Sequence, residues 1–192
     1  MPTDPEDLVV LLDEAGVPCG TADRLTVHGR DTPLHLAFSC YVVDERGRIL
    51  MTRRALTKRT WAGVWTNACC GHPRPGEPIA DAVARRIAEE LGARALSVTA
   101  VLPDFRYEAV DASGIRENEV CPVFVAALAD PLRPDPDEVA EHHWADPRAL
   151  ADVAARTPWL LSPWSVLQIG QLDLAALREV LTGTTGGQTP AP

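Results

Sequence analysis

Lysine is almost missing from this 192-residue sequence: Lys58 is the only one among 18 Lys and Arg residues. Also missing is any apolar run near the roughly 20 residues that a bilayer span requires. The opening Met1-Pro2-Thr3-Asp4-Pro5-Glu6-Asp7 is acidic, where a secretory leader begins basic and turns apolar. Both absences lead to an expectation of a cytoplasmic chain with no membrane partner. Positive charge is scarce as well: 27 Asp and Glu leave a net charge of −9, which argues against nucleic acid and anionic lipid as general partners. An anionic ligand must then be held by a local cluster of cations. The five cysteines are an odd number, and the adjacent Cys69 and Cys70 are poorly placed to bond to each other, so they read as free thiols or ligands.

What is present suits a folded domain. With 46% hydrophobic and 23% charged residues, and with 13 glycines and 17 prolines, the composition is neither collagen-like nor disordered. We expect one domain over 1–182 and a loose tail over 183–192. Strands are expected at 8–12, 36–43 and 48–52, the last two joined by a turn ending at Gly47, and again at 97–102, 120–128 and 138–144. Apolar residues Ala80, Val83, Ala84, Ile87, Ala88 and Leu91 follow helical spacing over 78–91, with Gly92 at the C-cap. On that helix Arg86 and Glu90 fall at one edge of the stripe and Glu89 points to solvent. Residues 146–155 and 162–181 also read as helical. The stretch 53–76 has no period, which suggests a functional loop. Strands with one central and two late helices imply an α+β fold, an α/β sandwich with helices covering a mixed or antiparallel sheet.

Four groups of residues could carry chemistry. His28, His35, His72, Glu117 and Glu119 offer nitrogen and oxygen ligands to a divalent metal, and an extended 117–119 segment would put both carboxylates on one face. Spacing alone leaves open that they are ordinary surface or core residues. The second group, Gly71-x5-Glu77-x7-Arg85-Arg86-Ile87-x-Glu89-Glu90-x-Gly92, nearly matches the Nudix signature G-x5-E-x7-R-E-U-x-E-E-x-G-U, in which U is aliphatic. It departs at Ala93 and, more tellingly, at Arg86, which stands where the signature has a glutamate. Replacing one carboxylate of a hydrolytic metal cluster by a cation favours holding a diphosphate over cleaving it. The third is the basic run 53–59, which contains Lys58 and is joined by Arg24 upstream, a candidate phosphate clamp. The fourth is Cys70 with Glu119, supported by Tyr107 and Trp164: Cys70 neighbours His72 and the start of the signature, Cys69 competes by adjacency, and the Trp164 face could stabilise a cation.

Taken in order, Leu34-His35-Leu36-Ala37-Phe38-Ser39, Thr52-Arg53-Arg54-Ala55-Leu56, Trp61-x-Gly63-Val64-Trp65-Thr66-Asn67, Cys70-Gly71-His72-Pro73, Pro103-Asp104-Phe105-Arg106-Tyr107, Glu117-Asn118-Glu119-Val120-Cys121-Pro122-Val123-Phe124 and Ser162-Pro163-Trp164 resemble the type I isopentenyl-diphosphate isomerases, which have the Nudix fold. The resemblance covers residues 9–167. It implies reversible conversion of isopentenyl to dimethylallyl diphosphate through a tertiary carbocation. Cys70 and Glu119 would transfer the protons, Trp164 would face the cation, and Tyr107 would hydrogen-bond in support of Glu119. It further implies His28, His35, His72, Glu117 and Glu119 as ligands of Mn²⁺ or Mg²⁺, with Zn²⁺ a third candidate. Glu90 would hold a second ion, Mg²⁺, arriving with the diphosphate, and Arg54, Lys58 and Arg86 would contact that diphosphate. Arg24 stands where lysine is common in the family. The partner implied is a small prenyl diphosphate, with the chain a monomer or weak homodimer. Two rivals are a Nudix hydrolase of a nucleoside diphosphate derivative and a binding protein without catalysis.

Overall fold

The computed structural model describes residues 8–183; all of the expected tail but Gly183 lies outside the described residues. Two mixed β-sheets are interleaved through the middle of the chain. One has the order β2-β1-β3-β10-β9, built from β1 (Leu8–Leu12), β2 (Pro18–Asp23), β3 (His35–Leu36), β9 (Arg106–Val110) and β10 (Arg116–Val120). The other runs β12-β5-β4-β11-β8, from β4 (Phe38–Val43), β5 (Ile49–Arg54), β8 (Ala95–Leu102), β11 (Val123–Leu128) and β12 (Val139–Ala145). Two short strands, β6 (Trp65–Thr66) on β5 and β7 (Cys69–Gly71) on β4, complete it. No helix of the described residues is long and apolar enough to cross a membrane.

The central strand β4 is buried along its whole length because both of its faces are covered. Its alternation assigns Phe38, Cys40 and Val42 to one apolar cluster and Tyr41 and Val43 to another. Helix α1 (Ile79–Leu91) covers the first face with Ala82, Val83, Ile87 and Leu91. It ends where expected: Gly92 adopts φ 60°, and a Cβ there would lie 2.3 Å from the Arg133 carbonyl oxygen, so both the left-handed turn and the close approach require glycine. The opposite face is closed by α2 (Pro147–Arg156), α3 (Pro163–Ile169) and α4 (Leu177–Thr182) together with Tyr107 and Trp164. Asp146 caps α2 by accepting from the amides of Arg148 and Ala149, at 2.9 and 3.1 Å.

Several expected elements are divided in the structure. The run 36–43 breaks at Ala37, and 120–128 breaks at Cys121-Pro122. In each case the first part belongs to one sheet and the second to the other. Two parallel pairs, β3 with β10 and β4 with β11, therefore change sheets together, bridged by the Ala37 amide to Val120 O at 2.9 Å and the Ser39 amide to Pro122 O at 3.1 Å. Pro122 has no amide hydrogen to continue a ladder, which suits it to the crossing. The expected helix 162–181 ends at Gly170 and resumes only at Leu177. The aperiodic 53–76 stretch contains β6 and β7, and β2, β9 and β10 are strands additional to those expected.

Candidate active site

The sheet crossing sets the site. Extended β10 puts Glu117 and Glu119 on one buried face, and its parallel register with β3 sets His35 against Glu119. His72 follows β7, and His28 comes from the turn after β2. The ligand atoms of His28, His35, His72 and Glu119 all lie within 4.8 Å of one another. His35 Nδ1 donates to Pro33 O at 2.9 Å, which turns its Nε2 towards the cluster. That Nε2 is 3.2 Å from His72 Nε2, and Glu119 Oε1 lies 3.3 Å from His72 and 3.4 Å from His35. Glu117 sits beside the four, its Oε2 2.9 Å from His28 Nε2 but outside hydrogen-bonding geometry, so this buried oxygen has no donor. Two imidazole nitrogens facing each other, an orphaned carboxylate oxygen and a buried anion together fit a divalent metal.

Electrostatics within the cluster follow from burial and from these contacts. Burial pushes His72 down to about 4 although Glu119 pulls the other way. For Glu119, burial works against ionisation, but hydrogen bonds from His35 and His72 outweigh it and hold the carboxyl well below the usual range. His35 is raised: burial opposes its charged form, and the bond to Glu119 prevails. Glu117 is raised chiefly by burial.

Cys70 borders the same cavity, of about 420 Å³, on the β7 side. Strand alternation separates it from Cys69, which is packed under α1 with Cys40 and Phe38. The Cys70 thiol lies 3.4 Å from Ser39 Oγ, and it is 3.2 and 3.3 Å from the side-chain nitrogen and oxygen of Asn67. Burial pushes this thiol up to about 12, against the pull of Ser39 and Asn67, so it carries its proton at neutral pH. Trp164 and Tyr107 form an aromatic wall with ring centres 5.7 Å apart. Tyr107 is the register partner of Glu119 across β9 and β10, so the two side chains share a face, but no hydrogen bond joins the Tyr107 hydroxyl to the Glu119 carboxylate.

Cations occupy the remaining wall. Arg24, Arg54, Lys58 and Arg86 all line the cavity. Arg54 donates to Thr60 O at 2.9 Å, and its guanidinium carbon sits 5.8 Å from the centre of the Trp164 ring. Helix α1 brings Arg86 in, and Gly71 lets it come close: a Cβ on Gly71 would fall 2.9 Å from Arg86 Cγ and 3.1 Å from the Phe38 ring. Glu77 accepts two bonds from Arg85, each 2.8 Å, and one from the Arg74 amide, which ties the loop to the helix. Glu90 is buried behind Arg86 and accepts from its Nε and Nη2 at 3.0 and 2.7 Å, while Glu89 is exposed. Burial pushes Lys58 down to about 8.

The model of the NUDIX domain matches residues 33–165. The isopentenyl-diphosphate Delta-isomerase of Leifsonia xyli subsp. xyli is 58% identical over 176 residues, 91% of this chain and 95% of that protein. That of Frankia alni is 59% identical over 174 residues, 90% of this chain and 89% of the relative. This chain belongs to the isopentenyl-diphosphate Delta-isomerase family. Among solved structures, the DR0079 protein of Deinococcus radiodurans has the same fold at TM-score 0.65 and 15% identity, covering 85% of this chain and 98% of that one.

For a member of the isopentenyl-diphosphate Delta-isomerase family, the most informative residue not singled out from sequence is Asn67. It is fully buried, and its side-chain nitrogen donates to the carbonyls of Cys40 and Cys69 at 3.1 and 2.7 Å. Its Oδ1 accepts from Thr66 at 2.8 Å and from the Trp164 indole at 2.9 Å. Ser39 and Gln168 form a second support: Gln168 Nε2 donates to Ser39 Oγ at 2.9 Å, and Tyr41 donates to Gln168 at 3.1 Å. An asparagine wedged between a tryptophan-led strand and a run of small apolar residues is the one local signal that could have marked it.

Proposed function

We propose that this chain interconverts isopentenyl diphosphate and dimethylallyl diphosphate by protonation and deprotonation, with Cys70 and Glu119 as the two proton-transfer groups. Protonation of the terminal alkene carbon gives a tertiary cation, and loss of a proton from the carbon nearer the diphosphate restores a double bond in its new place. The reaction is reversible and needs one protonated and one ionised group on the same cavity. The observation that carries the reading is that pair: a thiol that keeps its proton and a carboxylate held ionised, both lining one pocket. Trp164 and Tyr107 supply π-faces to the cation and exclude water from it. Arg54, Lys58 and Arg86, with Arg24 at the rim, hold the diphosphate.

His28, His35, His72, Glu117 and Glu119 would hold a divalent ion, and Glu90 would hold a second with the diphosphate. The nitrogen-rich set suits Mn²⁺ or Zn²⁺ and accepts Mg²⁺; the all-oxygen position suits Mg²⁺. Bound there, such ions would neutralise charge and keep Glu119 ionised. Hydrolysis is the weaker reading because Arg86 replaces a signature carboxylate and engages Glu89 and Glu90 in ion pairs at 2.8 and 2.7 Å.

Incubation with isopentenyl diphosphate in D₂O tests the reading. Deuterium should enter both C5 isomers, and no phosphate should be released. Binding without label would favour a passive binding protein, and phosphate release would favour a hydrolase.

A further inference from the structure

One carboxylate stands among the cations of the cavity with no part in the chemistry described above. Glu138 precedes β12, and its backbone is fixed at both ends of the peptide: its carbonyl accepts from the Ala55 amide at 3.0 Å, and its amide donates to Asp135 O at 3.0 Å. This ties it to the end of β5, next to Arg54. Its Oε2 is paired with Lys58 Nζ, and its Oε1 lies 3.3 Å from Arg86 Nη2. The side chain is only 23% exposed. A single carboxylate thus joins two cations that come from different elements, the β5–β6 loop and α1. Arg86 also pairs with Glu89 and Glu90, but of its three carboxylate partners it is Glu138 that lines the cavity.

Those donors are the ones a diphosphate needs. Two anions cannot share the same ammonium and guanidinium edge without strong repulsion, and the backbone ties keep Glu138 beside the cations even when its side chain rotates away from them. We propose that Glu138 is a built-in counter-anion: it holds Lys58 and Arg86 in position in the free protein and is displaced from them by the incoming diphosphate. It is a positioning residue whose presence weakens diphosphate binding and eases departure of the product. The proposal rests on the assignment of Lys58 and Arg86 to the diphosphate under the proposed function.

The test is calorimetric titration of inorganic diphosphate with excess Mg²⁺ into the wild type, Glu138→Gln and Glu141→Gln. Glu141 pairs with Arg53 and does not line the cavity, so it reports the general effect of removing one negative charge. Glu138→Gln should bind about fivefold more tightly, the scale of one lost ion pair, and should lower KM for isopentenyl diphosphate without raising kcat. Damage to the fold would not tighten binding. Unchanged or weaker binding in Glu138→Gln overturns the proposal, as it would if the carboxylate shared a metal ion with the diphosphate. Equal tightening in Glu141→Gln also overturns it. Either result, with the wild type binding normally, leaves the proposed function standing; a wild type that fails to bind diphosphate removes the assignment of Lys58 and Arg86 on which the proposal rests, and deuterium incorporation then decides the function by itself.

Discussion

The indole nitrogen of Trp164 donates to Asn67 Oδ1 at 2.9 Å, and the same Asn67 side chain contacts the Cys70 thiol at 3.2 Å. One buried amide therefore sets the distance between a thiol proposed to move a proton and an aromatic face proposed to meet the resulting cation. The α3 helix delivers Trp164 to this bond through Ser162, which caps it by accepting from the Ser165 amide at 3.4 Å. Packing of α3 and chemistry at β7 are coupled through Asn67.

Asn67→Ala should accordingly lower kcat more than it changes KM. It strands the indole and two buried carbonyls, so a stability loss of roughly 1–3 kcal/mol per unsatisfied group is expected. Steady-state kinetics on the folded fraction, with a melting curve alongside, separates the two effects. A variant with wild-type kcat and a lowered Tm would leave Asn67 a purely structural residue.

Replacing either proposed proton-transfer group should stop exchange rather than binding. Cys70→Ala and Glu119→Gln should each lose at least the roughly 10²–10⁴-fold typical of general acid–base catalysis, while inorganic diphosphate still binds. Deuterium incorporation in D₂O is the readout. Label entering at the wild-type rate in either variant would remove that residue from the chemistry.

The structure also shows which parts of the fold are written locally in the chain. Helix α1 and its Gly92 cap are legible because a 3.6-residue period and a left-handed glycine are local signals. The breaks at Ala37 and Cys121-Pro122 are not, since apolar residues continue through both and the sheet change depends on pairing with distant strands. Strand β10 escapes an apolar reading because its inward residues are Glu117 and Glu119, and β9 is too short to stand out, with only Tyr107 and Ala109 turned inward between Arg106, Glu108 and Val110. Within the candidate site, the Gly71 to Glu90 spacing carries its own geometry, whereas the convergence of His28, His35 and His72 depends on long-range folding that no spacing records. Asn67 is an extreme case: its partners include residues 97 and 98 positions away.

Metal removal should be visible without any substrate. The 3.2 Å approach of His35 and His72 and the donorless Glu117 oxygen leave the cluster less favourable when empty. Binding of Mn²⁺ at about 100 times its Kd should raise Tm on the order of 5–10 °C over chelator-treated protein. Turnover should vanish with chelation and return with Mn²⁺ and Mg²⁺. Identical melting curves with and without metal would show that the cluster does not take one up.

Lys58 should give the proposed diphosphate site a pH dependence that its arginines lack. Burial pushes its ammonium down to about 8; Glu90 pulls it up, Arg54 and Arg86 push it down further, and the paired Glu138 carboxylate acts in the same sense as Glu90. A lysine with a lowered value is charged below that value and neutral above it, so the site keeps its cation at pH 7 and loses it as pH rises through 8. The arginines stay charged throughout. Affinity for inorganic diphosphate should therefore fall by about fivefold from pH 8 to pH 9 and by up to about fiftyfold by pH 10, at most one decade per unit for one linked proton. Diphosphate titrates too, so the decisive quantity is the ratio of wild-type to Lys58→Arg affinity, in which the ligand's own protonation cancels. That ratio should decline with pH above 8, and a flat ratio across this range would place Lys58 outside the diphosphate contact.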